Sequence, residues 1–112
     1  MLNQDQIQNF VTEVNEKRLK YHKEQFPSLE FDPIEFKVSR KYVKLVTGNT
    51  VWGFIAKENG ELKGEPIREG DLLKPANWRT PAKHSRGNIL DGTAKYGHYG
   101  PDYKTFNFHT FN

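Results

Sequence analysis

The sequence predicts an α+β domain, with an N-terminal helix packed on an antiparallel sheet of four to five strands and a Gly- and aromatic-rich tail. Apolar residues recur at 3–4 spacing up to about Glu24, and from Ile34 the period changes to two. Turn pairs then punctuate the chain as far as Lys74. Helix first, strands afterwards, is the order of a helix lying across one face of a sheet.

The helix is expected from Gln4 to Glu24. Asn3 stands as its N-cap, Gln6 three positions later completes a capping box, and Leu2 can staple onto Ile7. Ile7, Phe10, Val11, Val14 and Tyr21 form one apolar stripe with Arg18 in the same lane, so this face belongs to the core. Pro27 stops the helix by restricting the residue before it. The connection SLEFDP follows, with Phe31 as its anchor.

Ile34, Phe36 and Val38 alternate with Glu35, Lys37 and Ser39, which suits a half-buried strand. KYVKLV (41–46) and VWGFIAK (51–57) read as the next two strands, joined by a TGNT turn. Gly53 allows a bulge or a close approach. Asn59-Gly60 is a hairpin signal, because both central residues of a type I′ turn need positive φ. A short strand from Glu61 to Lys63, a polar connection turning at Gly70 and a strand DLLK (71–74) complete the meander. The division is therefore helix 1–26, meander 34–74, basic loop and tail 75–112, all in one domain. In the tail, Phe106 and Phe108 at period two suit either an edge strand or the interface of a homo-oligomer.

Fifteen aromatic residues supply large buried areas to a chain with few aliphatics. Cysteine is absent, which excludes disulfide frameworks and thiolate metal sites. No histidines have metal-ligand spacing, so no metal and no cofactor is expected. Glycines 87, 92, 97 and 100 form neither GxGxxG nor a Walker loop. Ser85 beside His84 has no nucleophile context, and no acid/base pair is specified, so a small phosphodiesterase-like enzyme ranks below binding functions. No leader or membrane-length apolar run occurs, predicting a soluble, unexported protein.

The charge is unevenly divided. Residues 1–73 balance to −1, whereas residues 74–112 balance to +4 and hold three of the four histidines. Within them, KPANWRTPAKHSRGNILDG (74–92) is dense in donors. Thr80-Pro81 reads as the start of one helical turn closed by Gly87, leaving backbone N–H groups free for an anion. Lys74, Arg79, Lys83, His84 and Arg86 would supply charge-assisted hydrogen bonds, Trp78 a stacking face, and Asn88 a base-edge contact. The competing view is an ordered loop anchored by Trp78, Ile89 and Leu90, with solvated cations.

KYVKLV, VWGFIAK, LLKPANWRTPAKHSRGNILDG and YGPDY resemble a family of short, mostly uncharacterised proteins encoded by tailed bacteriophages, over residues 41–103. The resemblance implies a phage origin and a location in the infected host's cytoplasm or the virion, and it carries no catalytic residues. Together with the concentrated charge it favours a non-catalytic binder of a phosphate-bearing nucleotide-type ligand, one that sequesters a signal of host immunity. The runner-up is a nucleic-acid-binding or virion structural protein.

Overall fold

A computed structural model describes residues 2–102. Helix α1 spans Gln4–Gln25, followed by β1 (Glu35–Val38), β2 (Tyr42–Thr47), β3 (Thr50–Ala56), β4 (Gly60–Leu62), β5 (Glu65–Ile67), β6 (Asp71–Pro75), β7 (Pro81–Asn88), β8 (Tyr96–Gly97) and β9 (Gly100–Pro101). Five strands make one antiparallel sheet in the order β1-β2-β3-β6-β7, so the α+β expectation holds. The helix starts where its signals place it. The Asn3 side chain accepts the Gln6 N–H at 2.9 Å and the Gln6 side chain accepts the Asn3 N–H at 2.8 Å.

Neighbouring residues of β3 divide the core. Ile55 packs with Ile7, Phe10, Val11 and Val14 of α1, together with Val43, Leu45, Trp52, Leu72 and Tyr96. Phe54, one position earlier and so on the opposite face, packs with Val51, Ala56, Ile67 and Leu73. The helix covers one face, and the β4–β5 hairpin, through Leu62 and Ile67, covers the other.

Three expectations change. The strand near residue 61 is not part of the meander: among the described residues β4 pairs only with β5, and β3 pairs directly with β6. The hairpin turn sits at Lys63-Gly64, where both residues have positive φ (51° and 84°). Asn59 acts differently, its Oδ1 accepting the Glu69 N–H at 2.8 Å, because an Asx side chain serves a loop end as readily as a turn centre. Finally, the helical turn at Thr80-Pro81 is a strand. Pro75 pairs with Pro81 across β6–β7, and a proline opening an edge strand loses no ladder donor.

Gly53 shows why the chain needs a glycine in the middle of β3. A Cβ there would lie 2.9 Å from the Pro101 side chain and 3.1 Å from the Leu73 carbonyl, so the β8–β9 hairpin seats directly on the sheet. The Phe106 and Phe108 pattern lies outside the described residues.

Candidate functional site

The segment 74–92 is built as a hairpin whose tip is Ala76 to Thr80. Asn77 makes the tip: its Oδ1 accepts the backbone N–H groups of Arg79 (2.8 Å) and Thr80 (3.0 Å). The Ala76 and Asn77 N–H groups both donate to the Thr80 carbonyl. Trp78 is thereby held out at the turn, 50% exposed, with Lys44 Nζ 4.8 Å from its ring centroid. Lys44 is opposite Phe54 in the β2–β3 register, so this contact lies on the sheet face away from α1.

The other cations separate into two groups. Arg79 and Lys83 are exposed, and neither side chain has a hydrogen bond or ion pair among the described residues. Lys74 and Arg86 instead turn inward. Lys74 Nζ donates to the Pro101 carbonyl at 2.8 Å, and Arg86 Nε donates to the Asp102 carbonyl at 2.9 Å. A second Arg86 nitrogen donates to the His84 carbonyl. Burial lowers both pKa values, and Arg86 lowers that of Lys74 further while Asp102 opposes it. These two residues hold the C-terminal hairpin.

His84 stands between the groups, its Nδ1 4.0 Å from Glu65 Oε1 of β5, an ion pair only when the imidazole is protonated. Asn88 is 3% exposed. Its amide donates to the Glu69 carbonyl (2.8 Å) and Asp71 Oδ1 (3.0 Å), and its Oδ1 accepts the Leu90 N–H (2.7 Å). Every polar atom of that side chain is engaged inside the fold, so Asn88 fixes the end of the hairpin. Of the seven residues singled out in the sequence, Trp78, Arg79 and Lys83 face solvent, while Lys74, Arg86 and Asn88 face the protein. Among the described residues, the seven therefore do not converge on one point.

A second polar centre was not legible as a site. Arg18, 6% exposed, donates to the His98 carbonyl (Nε, 3.2 Å), to the Asp32 carbonyl (2.9 Å) and to Asn15 Oδ1 (3.4 Å). Trp52 Nε1 donates to the same His98 carbonyl at 3.1 Å. The His98 ring stacks on Tyr21 (4.5 Å between centroids, 34° between planes), and Tyr99 meets it edge-on at 4.8 Å. Burial, with Arg18 and His22 nearby, lowers the His98 pKa to about 4, so this imidazole is neutral. Its Nδ1 is buried without a partner among the described residues. The signals available in the sequence were Arg18 in the apolar lane and a His-Tyr pair flanked by Gly97 and Gly100.

Clefts of about 470 Å³ and 690 Å³ lie along α1, the first lined by Phe10, Glu13, Lys17, Leu90 and Tyr96 and the second by Leu2, Ile7, Val38 and Arg40. Neither is lined by a cation of the 74–92 segment. In the first, the Tyr96 hydroxyl donates to Glu13 Oε2 at 2.7 Å, and Lys17 Nζ lies 5.2 Å from the Tyr96 ring centroid, so both charges already engage Tyr96. Among the described residues, no group of three or more His, Asp or Glu is placed to hold a metal ion. No helix there is long and apolar enough to cross a membrane.

The fold and the hairpin together define an α+β domain that displays a tryptophan and several cations on an open surface. The chain belongs to a family of unknown function, DUF7717, whose family model matches residues 1–99. No curated protein and no solved structure matches it.

Proposed function

We propose that this protein is a non-catalytic binder of phosphate-bearing nucleotide ligands, and that it meets them as single-stranded nucleic acid. The observation that supports this most is the Trp78–Lys44 pair at the tip of a cationic hairpin, with Arg79 and Lys83 exposed beside it. One face of the indole carries an ammonium, and the rest of the half-exposed ring is available to a base. A stacked base contributes about 1–3 kcal/mol and each charge-assisted hydrogen bond about 1.5–3 kcal/mol. One stack and two or three phosphate contacts suffice for micromolar binding after association costs.

The open surface is the reason to favour a strand over a sequestered signal nucleotide. Sequestration needs an enclosure, and Lys74, Arg86 and Asn88, the residues best placed to wall one, bond to the protein's own carbonyl and carboxylate groups. The likeness to tailed-phage proteins over residues 41–103 supports a phage origin, and with it a place in the infected cell or the virion.

The test incubates the purified protein with single-stranded and duplex oligonucleotides, cyclic nucleotides and ADP-ribose derivatives, then denatures it and identifies what was held. Recovery of intact single strand supports this reading. Retention of a free nucleotide alone restores sequestration, altered product indicates an enzyme, and no retention at all removes both binding functions.

A further inference from the structure

The registers place several features at one end of the sheet. Thr47 of β2 pairs with Thr50 of β3, Phe54 of β3 with Leu73 of β6, and Pro75 of β6 with Pro81 of β7. The ends of β2 and β6 and the starts of β3 and β7 are therefore neighbours, and the Trp78 tip projects from this end. Arg18 reaches the Thr47 hydroxyl at 3.5 Å, which brings the last turns of α1 to the same end. The His98-Tyr99 tip of the β8–β9 hairpin arrives there too, because Trp52 and Arg18 both donate to the His98 carbonyl.

Tyr99 is 68% exposed, yet it is firmly held. Its ring rests edge-on against His98, the His98 ring stacks on Tyr21, and Tyr21 meets Tyr99 at 6.4 Å and 80°. Two neighbouring aromatic rings, with a buried guanidinium on the His98 carbonyl, thus fix the orientation of one solvent-facing phenol. Next to Tyr21, Lys20 and Lys23 are exposed on the end of α1, and His22 is half-buried. An aromatic face with cations beside it repeats the chemistry of the Trp78 tip on the helix side of the sheet.

We infer that Tyr99 is a second stacking platform for the same single strand, so that the bound nucleic acid crosses this end of the sheet from Trp78 to Tyr99. The inference rests on the function proposed above. Platforms spaced along a cationic surface are how single strands are held without base readout, and each added stack raises affinity only for a strand long enough to reach it.

Fluorescence anisotropy with labelled oligothymidylates of about 4 and about 12 nucleotides tests it. In the wild type the longer strand binds more tightly, and in Tyr99→Ala that advantage shrinks by roughly tenfold. Tyr99→Phe keeps the advantage, because stacking needs the ring and not the hydroxyl. If Tyr99→Ala binds both strands as the wild type does, or Tyr99→Phe loses as much as Tyr99→Ala, there is no second platform. When Trp78→Ala weakens binding and Tyr99→Ala does not, only this inference falls. When the wild type binds neither strand, the nucleic-acid reading falls with it.

Discussion

The Lys44 ammonium lies 4.8 Å from the ring centroid of Trp78, joining the middle of β2 to the tip of a hairpin more than thirty residues later. In water such a contact contributes about 0.5–1 kcal/mol, too little to explain why a tryptophan should stay half-exposed. Its value is positional, because a phosphate next to a base stacked on Trp78 would find a cation already in place.

Trp78→Ala should lower affinity for single strands by about 5- to 150-fold, the equivalent of one lost stack, while stability falls by no more than about 1 kcal/mol, the size of the lost Lys44 contact. Paired anisotropy and urea-denaturation measurements separate the two quantities. A large loss of stability would mean that Trp78 anchors the loop, the bland reading of its sequence.

The cations should divide by role. Arg79→Ala and Lys83→Ala should each flatten the slope of log affinity against log salt by about 0.7, the single-strand value per phosphate contact, with stability unchanged. Arg86→Ala should instead cost about 1–2 kcal/mol of stability, because it frees the Asp102 carbonyl and opens the seat of the β8–β9 hairpin. Salt titrations alongside denaturation curves distinguish them, and equal effects from all three variants would contradict the division.

That division is not written in the sequence. The helix, its cap, four strands of the main sheet and the basic excess after residue 73 are local or periodic properties, and all were legible. The directions of Lys74 and Arg86 were not, because they depend on Pro101 and Asp102, 27 and 16 positions away, in a segment that folds back so that Pro101 packs on Gly53. Lys44 was invisible for a similar reason: a charged residue in a strand is ordinary until a distant loop folds over it. The helical turn at Thr80-Pro81 failed because proline suits the start of an edge strand as well as the start of a helix, and only pairing with β6 decides.

Asn88→Ala should destabilise the protein by about 2–3 kcal/mol, since it removes the Asn88 partner of the Glu69 carbonyl and of the Leu90 N–H, and leaves the 2%-exposed Asp71 Oδ1 only its Arg68 ion pair at 3.7 Å among the described residues. Denaturation in urea checks the magnitude. A near-neutral result would release Asn88 for a role in binding.

Stability should also fall in mild acid through His98. Its folded pKa, about 4, lies below its ordinary value of 6.5, so the unfolded chain takes up a proton that the folded chain refuses. Above about pH 6.5 the group has no effect on stability. Between 6.5 and 4 it contributes a progressive loss reaching about 3 kcal/mol, and below 4 its contribution stops changing. His98→Phe retains a ring against Tyr21 and removes the proton, so its stability should vary less with pH across that interval. Identical pH profiles for the variant and the wild type would place the acid sensitivity elsewhere.

The most direct measurement of the central claim is quenching of tryptophan emission during titration with an unlabelled single strand of about 12 nucleotides, at two salt concentrations. Trp52 is buried and Trp78 is half-exposed, so a base stacking on the hairpin tip changes the signal of one indole. Saturable quenching is expected at micromolar strand, weakened by added salt and abolished in Trp78→Phe. Binding detected by anisotropy but silent in tryptophan emission, or quenching that persists in Trp78→Phe, would contradict it.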